Sequence, residues 1–154
     1  MIRKATQRDA DQIAIVLKSG YHIDSLDEAK DAFFSEIKKS IHYLVNEENS
    51  RIVGLVSWFF HGLPKHELVE LDRIVVLPEY QGKGISQELF TALIDDANKE
   101  LSKNGQKLRK LFLLTHASNE KAHKFYEKLG MTHEATLKSH FYDGEDEWAY
   151  SKFF

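Results

Sequence analysis

Apolar and polar positions recur along this chain with two different periods, and these periods divide it into helices and strands. Apolar residues have helical spacing after Thr6 and Asp9, a polar pair typical of a helix start, and again on one face of residues 25–39. The segments that follow Gly84 and Ser118 also have helical character, and Ser118 is the predicted cap of the second. Four helices are therefore predicted.

Strand-like runs lie between the helices. They cover residues 2–5, 41–45, 51–60, 68–76, 110–115, 131–137 and 147–153. The polar cluster at 46–50 predicts a turn, so the second and third runs form a hairpin, and the last two runs form another. The order is strand, two helices, three strands, helix, strand, helix, two strands. Such a mixed order predicts one α/β domain over residues 1–154, built on a mixed sheet.

Composition narrows the classes of function. The chain has 154 residues, enough for one buried core, and its 42% hydrophobic and 29% charged content is globular. A net charge of −3 does not favour nucleic-acid binding. No apolar run approaches the ~20 residues of a membrane span, and the N-terminus lacks a signal-peptide pattern. The absence of cysteine excludes disulfides and thiolate chemistry, and we expect a cytoplasmic location.

A glycine-bearing turn is the strongest local signal. The strand-like run at 70–76 leads into a turn with Gly82 and Gly84, and an amphipathic segment follows directly. Backbone N–H groups at a helix N-terminus and the positive end of the helix dipole form an anion site, usually for phosphate. Glycine tolerates positive φ there and lets a ligand approach closely. The spacing fits neither a P-loop nor the dinucleotide fingerprint, which would need glycine at Gln87.

Two motifs carry a resemblance to a known family. The first reads Val-x-Pro-x-Tyr-Gln-x-x-Gly-x-Ser from Val76 to Ser86, and it resembles the pyrophosphate-binding motif of the GNAT N-acetyltransferase superfamily. Ser86 departs from the usual Gly or Ala but is also small. The second reads Asn-x-x-Ala-x-x-Phe-Tyr-Glu-Lys-Leu-Gly-Met from Asn119 to Met131, where the family has phenylalanine at the last position. Both motifs and the element order follow the family along the whole chain.

The resemblance implies a single-domain GNAT fold with about seven mostly antiparallel strands, four helices and splayed central parallel strands. It also implies acetyl-CoA as the co-substrate. No metal is expected, because the eight histidines show no metal-ligand spacing such as H-x-x-x-H. The pantetheine arm of acetyl-CoA would bind backbone groups of Ile74 and Val76 in the splay. The other residues that the resemblance assigns to acetyl-CoA are Gln81, Gly82, Lys83, Gly84, Ile85, Ser86, Asn119, Phe125 and Lys128. For the last three, a helix start, a core aromatic and a surface charge are the alternative interpretations.

Acetyl transfer to an amine needs a neutral amine, a stabilised oxyanion and a proton for the leaving thiolate. The resemblance implies Glu70 as the base, acting directly or through water, with Asp72 as the second choice. Either carboxylate has an alternative role as an ion-pair partner at the surface. Tyr126 matches the family's acid, and a packed aromatic is the alternative. His116 stays open as another proton acceptor.

The sequence indicates the acceptor amine less clearly than it indicates the acetyl donor. Residues 140–147 combine four carboxylates with aromatic rings, which favours a cationic amine, and this tail is similar to that of bacterial spermidine/spermine acetyltransferases. A charged, solvated turn is the alternative. We therefore expect a polyamine or small amine, with a protein or peptide acetyltransferase and a non-catalytic acyl-CoA sensor as the other interpretations. A homodimer is compatible with the sequence, while nucleic-acid and membrane partners are not expected.

Overall fold

The computed structural model describes residues 1–154. Its elements are β1 (Ile2–Lys4), α1 (Ala10–Gly20), α2 (Leu26–Lys38), β2 (His42–Glu48), β3 (Arg51–Phe60), β4 (Leu68–Val76), α3 (Ile85–Ser102), β5 (Lys110–His116), α4 (Glu120–Lys128), β6 (Thr132–Tyr142) and β7 (Glu145–Phe153). Short 3-10 turns precede α1, β4 and α3. The predicted order of strands and helices is confirmed.

One seven-stranded sheet runs through the molecule in the order β1-β2-β3-β4-β5-β7-β6. Every neighbouring pair is antiparallel except β4 and β5. That parallel pair keeps its register only from Leu68 opposite Lys110 to Glu70 opposite Phe112. Beyond this point both strands continue without pairing, so they diverge. The predicted single-domain α/β fold with splayed central parallel strands is confirmed.

The sheet separates two hydrophobic cores. One buried cluster joins α1 and α2 to one face of the sheet, and it includes Ile13, Leu17 and Phe33. The other joins α3 and the α4 residue Tyr126 to the opposite face, with Leu89 among its fully buried side chains. Because each helix buries one apolar stripe, its periodicity was visible in the sequence.

The helix ends follow local capping rules, with one correction. The Ser25 side chain accepts a hydrogen bond from the Glu28 N–H at 3.1 Å and caps α2. The predicted cap of α4, Ser118, is wrong because Asn119 has that position and accepts from the Ala122 N–H at 3.1 Å. The Ser118 hydroxyl instead donates to Glu145 at 2.6 Å, which ties the start of α4 to β7.

Both predicted hairpins are longer than their apolar patterns. β2 continues to Glu48, so the turn holds only Asn49 and Ser50, which have φ of 50° and 63°. Positive φ at both central residues is the geometry that a tight hairpin needs. The last hairpin also includes polar residues beyond its apolar pattern. β6 is exposed along nearly its whole length, so its sequence does not alternate between apolar and polar residues.

A bulge in β4 changes which residues share a face. Ser57 of β3 pairs with Arg73 and the next residue, Trp58, pairs with Leu71, so Asp72 is the extra residue. Leu71 packs in the core beside α3, whereas Val75 packs in the core beside α1 and α2. A strand with strict alternation would place both on one face, so the bulge reverses the alternation at the start of the diverging segment.

Candidate active site

A cavity of about 1250 Å³ opens where β4 and β5 diverge. Its walls come from the α1–α2 connection, β4 after the bulge, the turn into α3, the end of β5, α4 and the β6–β7 hairpin. Its volume exceeds the ~300–1,000 Å³ typical of pockets for drug-sized ligands, so it has room for a long ligand together with a second small one.

The turn before α3 provides a backbone cradle. Gly82 and Gly84 have φ of 78° and 84°, and no atom lies within 4 Å of where a Cβ would stand on either residue. No side chain caps the first turn of α3, so its leading N–H groups have no side-chain acceptor. The Gln81 amide donates to the Val76 carbonyl at 3.0 Å, while the Lys121 ammonium donates to the Gln81 side-chain oxygen at 3.3 Å. This arrangement fits a phosphate group.

The hydroxyl of Tyr21 contacts the backbone at the diverging edge of β4. The Tyr21 hydroxyl accepts from the Ile74 N–H at 2.9 Å and lies 3.3 Å from the Ile74 carbonyl. The Arg73 guanidinium stands 4.9 Å from the centre of the Tyr21 ring, and it also pairs with Glu36 of α2 at 2.7 Å. Burial raises the pKa of Tyr21 to about 12, so its phenol stays protonated at neutral pH.

Tyr126 lies in the cavity wall on α4. It is 7% exposed and packs within the core beside α3. Burial raises its pKa, and the neighbouring Tyr21 adds to the effect. A phenol in this environment carries its proton at neutral pH, as a proton donor must.

The two candidate carboxylates of β4 lie in different places. Asp72, the bulged residue, lines the cavity and accepts a hydrogen bond from the Ser57 hydroxyl at 3.1 Å. Burial raises its pKa, and Glu36 adds to the rise. Glu70 lies where β4 and β5 are still paired and is outside the cavity wall. Its carboxylate is 3.1 Å from His61 Nδ1, and burial raises its pKa too.

His116 and Glu147 complete the wall on the side of β5. His116 is the last residue of β5 and Glu147 faces it across the β5–β7 pair. The edge of the Tyr142 ring approaches the imidazole, with 5.9 Å between ring centres.

Most of the residues predicted to bind acetyl-CoA line this one cavity. They are Ile74, Val76, Gln81, Gly82, Gly84, Ile85, Ser86, Asn119, Phe125 and Lys128, together with the predicted acid Tyr126. Glu70 and Lys83 are not among the lining residues, and the Lys83 ammonium stands 4.8 Å from the centre of the Tyr80 ring. Two lining residues had no individual role in the sequence analysis: Glu147 was only one of the four carboxylates of residues 140–147, and Lys121 occupies an unspecified position of the second motif.

The sequence model of the acetyltransferase (GNAT) family matches residues 10–131. The chain belongs to the GNAT family. The match covers both motifs of the cavity wall and most of the sheet, so this GNAT protein is an acetyltransferase, and its family uses acetyl-CoA as co-substrate.

Curated relatives differ in acceptor. A Bacillus subtilis protein with a provisional assignment as a ribosomal protein bS18-alanine N-acetyltransferase is 30% identical over 121 residues, which are 76% of this chain and 73% of that protein. The spermidine N(1)-acetyltransferase of Vibrio cholerae is 26% identical over 129 residues, 77% of this chain and 66% of that protein.

The fold has close structural neighbours. The crystal structure of a GNAT-family protein from Desulfovibrio desulfuricans superposes with a TM-score of 0.83 at 21% identity, and the match covers 99% of this chain and 98% of that one. At this identity the likeness concerns the fold.

None of the helices is long and apolar enough to cross a membrane. No group of three or more His, Asp or Glu side chains is arranged to hold a metal.

Proposed function

We propose that this GNAT protein acetylates the primary amine of a small cationic acceptor, by direct attack of the amine on acetyl-CoA. The divergence of β4 and β5 carries the proposal, because it exposes a strand edge beside the uncapped N-terminus of α3. A pantetheine arm hydrogen-bonds like an extended strand, and the pyrophosphate at its end needs an anion site.

Donor binding follows from this geometry. Backbone groups of Ile74 and Val76 would hold the pantetheine arm, and the backbone from Gln81 to Ser86, including Lys83, would hold the pyrophosphate. Asn119, Phe125 and Lys128 would lie along the rest of the donor. The Tyr21 hydroxyl already holds Ile74, so the donor competes with this phenol for the strand edge.

The proposed reaction has three steps, and the first and last of them transfer a proton. The acceptor arrives as an ammonium and gives up one proton to become a nucleophile. Its nitrogen then attacks the thioester carbon, and the Val76 N–H is the proposed donor to the oxyanion. As the C–S bond breaks, the Tyr126 phenol donates its proton to the sulfur.

A β4 carboxylate is the proposed base for the ammonium. Glu70 lies outside the cavity wall, so its action requires a water relay, whereas Asp72 lines the wall directly. Burial raises the pKa of both carboxyl groups, which makes each a stronger base than an exposed carboxylate.

Carboxylates and aromatic rings in the cavity wall support a cationic acceptor. Glu28 of α2 and Asp72 of β4 line the wall, as do the rings of Phe141 and Tyr142 of β6. The cations of the wall are Arg73, which is paired with Glu36, and two lysines of α4, Lys121 and Lys128. Carboxylates and aromatic faces both attract ammonium groups. The name of the Vibrio cholerae relative points to the same class, so we propose a polyamine or a small diamine as the acceptor.

Thermal unfolding and a thiol-release assay test the proposal. Millimolar acetyl-CoA is expected to raise the melting temperature, because a ligand that binds only the native state stabilises it. Spermidine, simple diamines, monoamines and an alanine-terminated peptide are then compared for CoA release. Turnover of the peptide alone would replace the small amine as acceptor, and a thermal shift without turnover of any amine would indicate an acyl-CoA sensor. No shift at all would overturn the proposal.

A further inference from the structure

His116 and Glu147 form an ionisable pair that the steps above leave unused. The Nδ1 atom of His116 is 2.5 Å from Oε1 of Glu147, without the alignment of a directed hydrogen bond. The Glu147 side chain is only 3% exposed, and its second oxygen is buried without a partner. A carboxylate enclosed in this way stabilises a positive charge that forms on the group beside it. His116 gains that charge when it takes up a proton.

The imidazole lines the same cavity as the diverging part of β4. The paired register of β4 and β5 ends with Glu70 opposite Phe112. From there both strands continue along the cavity wall, β4 to Val76 and β5 to His116. The His116 side chain is 35% exposed and lines the cavity, so a ligand can reach it, whereas Glu147 lies behind it.

Three other groups lie near His116. The Tyr142 ring of β6 lies with its centre 5.9 Å from that of the imidazole. Hydrogen bonds from Ser118 lower the pKa of the Glu145 carboxyl group on β7, and His116 adds to the effect. Nε2 of His123 on α4 is 3.0 Å from the His116 backbone carbonyl, and so it contacts the strand and not the imidazole. The carboxylate in direct contact with the ring is Glu147.

We propose that His116, positioned by Glu147, takes the proton that the acceptor nitrogen loses as the C–N bond forms. This inference rests on the acetyl-transfer function proposed above. Attack leaves the nitrogen positively charged with one proton too many. His116 takes that proton, the nitrogen keeps the electron pair, the C–S bond breaks, and the sulfur receives the Tyr126 proton. Water then carries the proton from His116 back to Tyr126, which balances the cycle.

Chemical rescue tests the role of the imidazole. His116→Ala is expected to lower kcat for the best amine of the panel by about 10²-fold, the lower range for proton-transfer catalysis, while the KM for acetyl-CoA stays unchanged. Added imidazole enters the space left by the side chain and restores kcat at least tenfold. Glu147→Gln also lowers kcat, but imidazole does not restore it because His116 still fills its place.

Two comparisons separate this role from a structural one. His66→Ala removes an exposed histidine from the turn before β4, outside the cavity wall, and is expected to leave kcat and its response to imidazole unchanged. His116→Gln keeps the side-chain volume and is expected to lose kcat as the alanine variant does. The inference is overturned if either His116 variant keeps a kcat within threefold of that of the unmodified enzyme. It is also overturned if His116→Ala binds acetyl-CoA but has a reduced kcat that imidazole does not restore. If the unmodified enzyme acetylates no amine, the proposed function fails and this inference fails with it.

Discussion

At the scale of single residues, burial sets the proton chemistry of the cavity. Tyr126 and Tyr21 are phenols whose pKa values are raised mainly by burial, and Asp72 is a carboxylate whose pKa is raised for the same reason. Burial disfavours the charged form of every one of these groups. The phenols are therefore kept as proton donors, while the carboxylate becomes a stronger proton acceptor.

Removal of the Tyr126 hydroxyl separates binding from catalysis. Tyr126→Phe keeps the ring in its core packing, so acetyl-CoA should raise the melting temperature as before. We expect kcat to fall by about 10²–10⁴-fold because the thiolate loses its proton donor. Steady-state kinetics give the answer, and a fall smaller than threefold would remove Tyr126 from the mechanism.

The pH dependence of kcat/KM distinguishes the β4 carboxylates. An alkyl ammonium has a pKa near ~10, so a base matters most near neutral pH and least at high pH. If Glu70 is the base, Glu70→Gln should lower the rate at neutral pH and approach the unmodified rate in alkali. If Asp72→Asn flattens the acid limb and Glu70→Gln leaves it intact, then Asp72 is the base.

At the scale of elements, the junction between β4 and α3 combines a pairing defect, a glycine turn and a helix N-terminus. The bulge at Asp72 ends strict alternation in β4, and five residues after Val76 the chain enters the turn at Gln81. Gly84 then begins α3 with a φ of 84°. A residue with a Cβ at that φ is strained, so the cradle depends on glycine.

A matched pair of glycines tests the cradle. Gly84 precedes α3 and Gly105 follows it, both have positive φ, and a Cβ on either meets no atom within 4 Å. Gly84→Ala and Gly105→Ala should each cost about 1–2 kcal/mol in the free energy of unfolding. Only Gly84→Ala should raise the KM for acetyl-CoA. Equal KM values in the two variants would show that the turn does not bind the donor.

At the scale of the whole molecule, a polar network fastens the N-terminal strand to the rest of the sheet. Arg3 of β1 donates to both oxygens of Asp9 at 2.9 Å and pairs with Glu47 of β2 at 2.6 Å. Asp9 also accepts from the Thr6 N–H at 2.7 Å. The pKa of Asp9 is lowered to about 2, chiefly by the hydrogen bonds from Arg3.

The pH dependence of the free energy of unfolding tests how much this network stabilises the protein. Because the folded pKa of Asp9 lies below its unfolded value, its stabilisation is complete above about pH 4 and disappears as the pH falls toward 2. Asp9→Asn should therefore lower the free energy of unfolding by about 1–2 kcal/mol at neutral pH. The difference between the two proteins should vanish near pH 2. Urea unfolding across this range is the measurement.

Asp11 supplies the control for that experiment. Its side chain is 83% exposed and pairs with Lys30 at 2.8 Å on the surface. Exposed ion pairs contribute little, so Asp11→Asn should change the free energy of unfolding by less than about 1 kcal/mol at any pH. A loss for Asp9→Asn no larger than that of the control would contradict the assigned role of the network.

The sequence by itself determined the features that depend on nearby residues. The order of the elements followed from the two apolar periods, because each helix and most strands bury one face. The turn from Gln81 to Ser86 and the motif from Asn119 to Met131 were legible for the same reason, since capping and positive φ are local requirements. These motifs led to the GNAT family, which the match over residues 10–131 confirms.

Tertiary structure alone decided what depends on residues far apart in the chain. The bulge at Asp72 arises from pairing with β3, and it leaves Glu70 outside the cavity while Asp72 lines it. The pair of His116 and Glu147 forms because β5 and β7 are adjacent, and their 31-residue separation in sequence carries no periodic signal.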